Sequence, residues 1–300
     1  MLNPNLWRGQ QQAFDWQGHR ISYQDQGDGP VLLLLHGLPG SNWDWHLLWT
    51  MLCGQFRLIA PDFLGCGDSD KPLAYDYRLA DQADMLQALL SELNISGYHI
   101  IAHDYGAAVA WQLTSQSVPP ASAADQSSPH SSPVALSMSW LAPRIAGDHD
   151  GFLWRERWLS GPSGQLLQGL MTAGLFGRYL EKLTGPYVPL SRQRLQDSWE
   201  LLCAHQGLQV LPLLLNYRYE LPQRREWRHY QPPLPLQIIR GSFDPVSRSL
   251  PQIPGVQYTD IACGHFPQLE DAEQLADVLL GFHSLAQPPC AALFSNLKTR

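Results

Sequence analysis

The run Ile100-Ile101-Ala102-His103-Asp104-Tyr105-Gly106 restricts the fold of this chain more than any other stretch. A short apolar run that reads as a buried strand passes directly into a small-x-Asp-x-Gly pentapeptide, and Ala107-Ala108-Val109-Ala110-Trp111-Gln112-Leu113 continues as a helix. This is the pattern of a nucleophile elbow. So sharp a strand-to-helix turn needs small residues two positions to either side of its tip, and Ala102 and Gly106 supply them. The tip residue is Asp104, where the commonest version of the motif has Ser. A carboxylate at a helix N-terminus stays ionised and can attack carbon without a base to deprotonate it. Taken alone, the same residue could be an ordinary Asp N-cap after a strand.

The flanking segments alternate strand and helix. Residues 13–16 and 20–24 read as a hairpin with Gly18 in its turn. Residues 31–35 are a continuous apolar run, expected as a strand buried on both faces of a mostly parallel sheet. The run ends in His36-Gly37-Leu38-Pro39-Gly40, a loop at the edge where open α/β sheets place their ligands. The backbone amides of Leu38 and Tyr105 are therefore candidates for an oxyanion hole. Residues 41–52 read as an amphipathic helix capped by Ser41, residues 56–60 as a strand, and residues 79–93 as a helix packed on the sheet. Asp62, Asp68 and Asp70 lie in a turn-rich loop and read as turn and capping groups rather than catalysts. Strands at 134–140, 236–240 and 256–261 complete the alternation. No carboxylate directly follows the first of these, whereas Asp244 follows the second and His265 the third.

The expected fold is α/β, a doubly wound and mostly parallel sheet with an inserted helical lid. Residues 1–143 and 232–286 form the core. Residues 144–231 lose the strand pattern and read as the helical insertion, broken at Gly161-Pro162, Gly185-Pro186 and Pro212 and placed to exclude water from Asp104. Residues 118–133, rich in Ser, Pro and Ala, read as a surface loop, and residues 287–300 as an uninformative tail.

Composition narrows the chemistry. The formal net charge is −7 and basic residues form no long run, so neither nucleic acid nor an anionic membrane is expected as a partner. The cysteines, Cys53, Cys66, Cys203, Cys263 and Cys290, are scattered without metal or redox spacing and read as free thiols in a reducing compartment. The first residues lack the pattern of a signal peptide, and the longest apolar run is too short to span a bilayer. A cytoplasmic protein, monomer or homodimer, is expected, with a small apolar molecule and water as reactants and with neither metal nor organic cofactor.

Asp104, Asp244 and His265 stand in the order nucleophile, acid, histidine, and over nearly its whole length the sequence resembles the α/β-hydrolase superfamily. The Asp elbow narrows the resemblance to the epoxide hydrolase and haloalkane dehalogenase branch, whose members carry close versions of His36-Gly37-Leu38-Pro39 and His103-Asp104-Tyr105-Gly106. Asp62-Phe63-Leu64-Gly65, Ser69-Asp70-Lys71-Pro72, Gly185-Pro186-Tyr187, Asp244-Pro245-Val246 and Pro267-Gln268-Leu269-Glu270-Asp271 resemble the mesoderm-specific transcript-like hydrolases. The resemblance implies an alkyl ester formed on Asp104 and hydrolysed by water that His265 deprotonates, with Asp244 orienting the imidazole. For an epoxide it also implies a tyrosine acid in the insertion, for which Tyr217, Tyr219 and Tyr187 are candidates. Dehalogenases instead grip halide with side-chain N–H donors, which Tyr105 and Leu38 cannot supply, so epoxide opening is the first reading and dehalogenation the alternative. A catalytically silent scaffold, using the insertion as a binding surface, is the reading from another class. The intact Asp104, Asp244 and His265 argue against it.

Overall fold

A computed structural model of the chain describes residues 4–116, 132–146, 160, 164, 168–223, 225–246, 250 and 252–285. Within these residues the strands are β1 (Gln12–Trp16), β2 (His19–Gln26), β3 (Val31–Leu35), β4 (Arg57–Pro61), β5 (Gly97–His103), β6 (Val134–Leu141), β7 (Leu236–Gly241) and β8 (Gln257–Ile261). The helices are α1 (Pro4–Arg8), α2 (His46–Leu52), α3 (Leu79–Glu92), α4 (Tyr105–Gln116), α5 (Ala173–Leu183), α6 (Arg192–Cys203), α7 (Gly207–Leu214), α8 (Pro267–Glu270) and α9 (Ala272–Leu285).

One sheet runs in the order β1-β2-β4-β3-β5-β6-β7-β8. β1 and β2 form the expected hairpin, with Gly18 at φ +83° in the turn, and β2 pairs antiparallel with β4. All other pairings are parallel. The chain enters the parallel sheet at β3, steps outward to β4, and then crosses to β5 on the other side of β3. That reversal opens a crevice beyond the carboxyl ends of β3 and β5, where the loops His36–Gly40 and His103–Tyr105 meet. Every residue of β3 is buried, as its unbroken apolar run requires of a strand covered on both faces.

Two cores result. α3 and α4 cover one face with residues such as Leu86, Leu90, Val109 and Leu113, packed with Ile100 and Trp140. α1, α2 and α9 cover the other, where Trp7, Trp45, Leu48 and Leu279 pack on Leu32, Leu34 and Ile101.

Two local departures from the sequence reading have physical causes. The segment after Ser41 begins as a 3-10 turn over Asn42–Trp45 and becomes α-helical only at His46. Ser41 and Asp44 form a reciprocal capping box across that tight turn, and Asp44 also receives Arg194 from α6. Pro212 does not end its helix: α7 runs through it to Leu214 and then tightens into a 3-10 turn over Leu215–Tyr219. Between β6 and β7 the described residues contain helices and turns and no strand, and Gly185-Pro186 separates α5 from α6. Gly161-Pro162, most of the expected loop at 118–133, the tail 287–300 and Cys290 lie outside the described residues. None of the described helices is long and apolar enough to cross a membrane.

Candidate active site

The elbow forms because its neighbours are too close for side chains. A Cβ on Gly106 would stand 2.4 Å from the Leu35 carbonyl oxygen, and one on Gly37 would stand 2.8 Å from the Cβ of Asp104. Asp104 itself adopts φ +50°, a left-handed conformation that few residues but glycine, Asn and Asp accept. Its backbone N–H donates to the Leu141 carbonyl at 3.0 Å, and its carbonyl accepts from Ala107 at 3.2 Å and Arg144 at 3.3 Å. β5, β6 and α4 thus hold the tip residue from three sides.

The Asp104 carboxylate is buried and reads its surroundings oxygen by oxygen. Oδ2 accepts the Leu38 N–H at 3.1 Å. Tyr105 begins α4, so its N–H belongs to the first turn that a helix leaves without an internal partner. Oδ1 faces His265 Nε2 at 3.5 Å and Arg144 Nε at 2.7 Å, the latter a charge contact rather than an aligned hydrogen bond. Burial alone would raise the Asp104 pKa. The Arg144 guanidinium, followed by His265, reverses this and holds it well below the usual carboxylate range.

The structure brings Asp244 and His265 to the same point. Asp244, beyond β7, receives His265 Nδ1 at Oδ2 over 3.1 Å and the Val246 N–H at Oδ1 over 2.9 Å. With Nδ1 turned to a carboxylate, His265 presents Nε2 to Asp104. Burial would lower the His265 pKa, but Asp244 and then Asp104 raise it to about 9. The imidazole is therefore charged at neutral pH, shared between two carboxylates.

The flanking motif residues act through the backbone. His36 accepts the Phe63 N–H at Nε2 and so donates from Nδ1 to the Gly37 carbonyl, 2.8 Å away. Burial lowers its pKa to about 4, so it ties the two loops together as a neutral ring. Pro39 continues the same loop at the edge of a narrow cleft between this loop and α6 and α7, lined by Leu38, Cys66, Lys71, Leu201, Leu211 and Leu214. His103 donates from Nε2 to the His265 carbonyl at 2.8 Å, and burial keeps it neutral with its pKa lowered to about 3. Asp62 accepts the Asn42 and Asp68 N–H groups at 2.7 and 2.8 Å, the turn role expected of it.

The candidate tyrosines separate. Tyr217 is buried and meets Tyr105 edge-on with ring centroids 4.7 Å apart. Tyr219 is 76% exposed and Tyr187 69% exposed, the latter against Phe243, so neither hydroxyl is enclosed with Asp104. One turn of tight 3-10 helix accounts for the contrast between Tyr217 and Tyr219, because residues two apart point to different sides.

Two residues of the site escaped the sequence reading. Arg144 follows Ala142-Pro143 with no motif around it; only the absence of a carboxylate there hinted that the position is used differently. Glu270 accepts the N–H groups of Gly185 at 2.7 Å, Gly264 at 2.8 Å and Phe266 at 3.1 Å, while the His265 N–H donates to the Leu183 carbonyl at 2.7 Å. The loop carrying His265 is thereby clamped to the end of α5. A Cβ on Gly264 would stand 2.3 Å from Gly185 N, which explains why those two separated motifs both hold glycine. Among the described residues no group of His, Cys, Asp or Glu has the arrangement of a metal site.

Comparison with known proteins agrees with this fold. A model of the alpha/beta hydrolase family matches residues 32–278. The mesoderm-specific transcript homolog protein of Homo sapiens is 31% identical over 307 residues, which cover 94% of this chain and 88% of that protein. The solved structure of the epoxide hydrolase CorEH without ligand superposes with a TM-score of 0.75 at 20% identity, covering 92% of this chain and 99% of its own. Est816, described as an N-acyl homoserine lactone degrading enzyme, superposes with a TM-score of 0.69 at 20% identity over 90% of this chain and all (100%) of its own. An epoxide hydrolase and a lactone-degrading enzyme share one fold with this chain, so the choice of chemistry rests on the residues at the site.

Proposed function

The chain belongs to the alpha/beta hydrolase family, and from that premise we propose that it hydrolyses a small substrate through a covalent ester on Asp104, opening an epoxide to a diol. The observation that carries this reading is an ionised carboxylate at the elbow, held by the Leu38 N–H on one oxygen and facing His265 with the other. A carboxylate suits in-line displacement at an sp3 carbon, where serine suits attack on an acyl carbon.

In the first step Oδ1 of Asp104 bonds to an epoxide carbon and the ring C–O bond breaks, its electron pair leaving on the alkoxide. Tyr217, the candidate tyrosine buried beside Tyr105, gives that alkoxide its proton. Ester formation removes the Asp104 charge, one of the two that hold the proton on His265. The imidazolium then gives up a proton, which returns through solvent to Tyr217. His265 is now neutral and deprotonates a water, which attacks the Asp104 carbonyl carbon. The negative charge that develops on Oδ2 is met by the Leu38 N–H already pointed at it and by that of Tyr105. Collapse of this intermediate expels the diol, the leaving oxygen taking the carboxyl proton, and restores the Asp104 carboxylate beside the His265 imidazolium. The helices between β6 and β7 act as the cover that keeps bulk water out, latched to the His265 loop through Glu270.

The test is the intact mass of the His265→Gln variant after exposure to terminal epoxides and bromoalkanes. The variant keeps the nucleophile but lacks the base, so the ester accumulates with the whole mass of the epoxide, and Asp104→Asn shows none. An alkyl-only adduct from the bromoalkanes would assign hydrolytic dehalogenation instead.

A further inference from the structure

The Leu38 N–H that meets Asp104 sits in a loop with an anchor at each end. On one side the anchor belongs to the core: His36 takes the Phe63 N–H at 3.2 Å and holds the Gly37 carbonyl at 2.8 Å. On the other side it is the Asp44 carboxylate. A Cβ on Gly40 would stand 2.4 Å from Asp44 Oδ2, so the carboxylate lies directly against the Gly40 backbone, and the Ser41 N–H points at the same oxygen from 3.4 Å. Asp44 is in turn held from outside the core, by α6. Arg194 Nη2 meets its Oδ1 at 2.8 Å, Nη1 lies 3.0 Å from His46 Nδ1, and the guanidinium carbon stands 5.8 Å from the centre of the Trp43 ring. Arg194 is fixed at its own end too, because its backbone N–H donates at 3.1 Å to Ser191, the cap of α6. The Arg194 side chain is 10% exposed and that of Asp44 15%, so water and salt screen the pair only weakly.

We infer that Arg194 is a positioning residue for hydrolysis of the ester: by pinning Asp44 against Gly40 it fixes the Leu38 N–H, and the helices between β6 and β7 thereby set the geometry of the site that they cover. The catalytic consequence rests on the Asp104 ester reading, and it has a direction. When the ester forms, charge leaves Asp104 and the Leu38 N–H loses a charged acceptor. When water attacks the ester, charge returns to Oδ2 and the N–H regains one. A well-placed Leu38 therefore favours the second step and not the first. Without Arg194 the largely buried Asp44 charge loses the cation it is paired with, and the carboxylate moves toward water, taking the end of the loop with it.

Rapid-quench mass spectrometry of Arg194→Gln with a terminal epoxide follows both steps. Ester should form within about threefold of the wild-type rate and be hydrolysed about tenfold or more slowly, so that it builds up although His265 is intact. In the steady state kcat should fall while kcat/KM holds. Arg194→Lys, which keeps a cation at Asp44, should recover part of the hydrolysis rate. Asp44→Asn, nearly isosteric, should show the same imbalance, and it stands in for Arg194→Gln in every measurement if that variant does not fold. Equal slowing of both steps, as a smaller folded fraction would give, overturns the inference, and so does unchanged hydrolysis. Hydrogen exchange tests the positioning without any ester. The amides of residues 37–41 should exchange about tenfold or more faster in Arg194→Gln, while those of β3 keep their wild-type rates. Unaltered exchange at 37–41, or an equal rise in β3, overturns the inference. Faster exchange confined to 37–41, with no ester from either Arg194→Gln or His265→Gln, keeps the positioning role and removes the ester reading.

Discussion

Replacing Asp104 with Asn should change His265 more than it changes the fold. The variant is nearly isosteric, so the elbow and its backbone hydrogen bonds persist, but one of the two carboxylates that share the imidazolium proton is gone. The lost contact spans 3.5 Å between Oδ1 and Nε2. A unit charge pair at that separation is worth about 1 kcal/mol in water and about 5 kcal/mol at an effective dielectric of about 20. The Arg144 cation remains and pushes in the same direction. His265 should therefore fall from about 9 to between roughly 6 and 8. Proton NMR titration of the imidazole, assigned by its absence in His265→Gln, reads the change directly. A His265 that still titrates near its wild-type value in Asp104→Asn would refute the shared-proton arrangement, and with it the release of a proton on ester formation.

Other consequences follow from the same geometry. His265 has a folded pKa above its ordinary value, so its stabilising contribution is complete below about 6.5, its unfolded pKa, and is lost as pH rises through about 9; the wild-type denaturation midpoint should drop across that window, and His265→Gln should remove the drop. Gly106→Ala forces a Cβ to 2.4 Å from a backbone oxygen and should cost about 3 kcal/mol or more, seen as a lower Tm or loss of folded protein. Glu270→Gln turns one acceptor oxygen toward N–H groups as a donor; it should cost about 1 to 3 kcal/mol and lower kcat more than it raises KM, because it loosens the loop that carries His265. Arg194→Met strands the partly buried Asp44 carboxylate, which Arg194 Nη2 meets at 2.8 Å, and should destabilise by about 2 to 3 kcal/mol, with Asp44→Asn in the same chain restoring part of it.

Much of the fold was legible because its signals are local. The unbroken apolar run of β3 could serve only a strand covered on both faces, and the small residues at Ala102 and Gly106 could serve only a turn too tight for larger ones. Asp104, Asp244 and His265 were visible because each lies at or in the loop just beyond the end of a strand, in an order that topology then converts into proximity. What stayed hidden depends on contacts between distant segments. Arg144 sits in no motif, and its meaning comes from β5 and β6 lying side by side, which places a loop after one beside the elbow of the other. Glu270 was visible as part of a motif but not as a clamp, because its partner Gly185 lies 85 residues away. The tyrosines were ambiguous for a different reason: sequence shows a helical segment, but residues two apart point to different sides of either kind of helix, and only the packing of the segment decides which side meets the core. The 3-10 turn over Leu215–Tyr219 turned Tyr217 in and Tyr219 out.

The central claim is that Asp104 is alkylated and then hydrolysed at its own carbonyl carbon. A single turnover in water of heavy oxygen, with enzyme in excess over an epoxide substrate, tests it most directly. The account predicts that the heavy oxygen enters the Asp104 side chain, found by mass spectrometry of the peptide containing residues 100–106, and that the diol from this first turnover carries none. Heavy oxygen in the diol with an unlabelled Asp104 would mean that water attacks the substrate itself, and would contradict the ester.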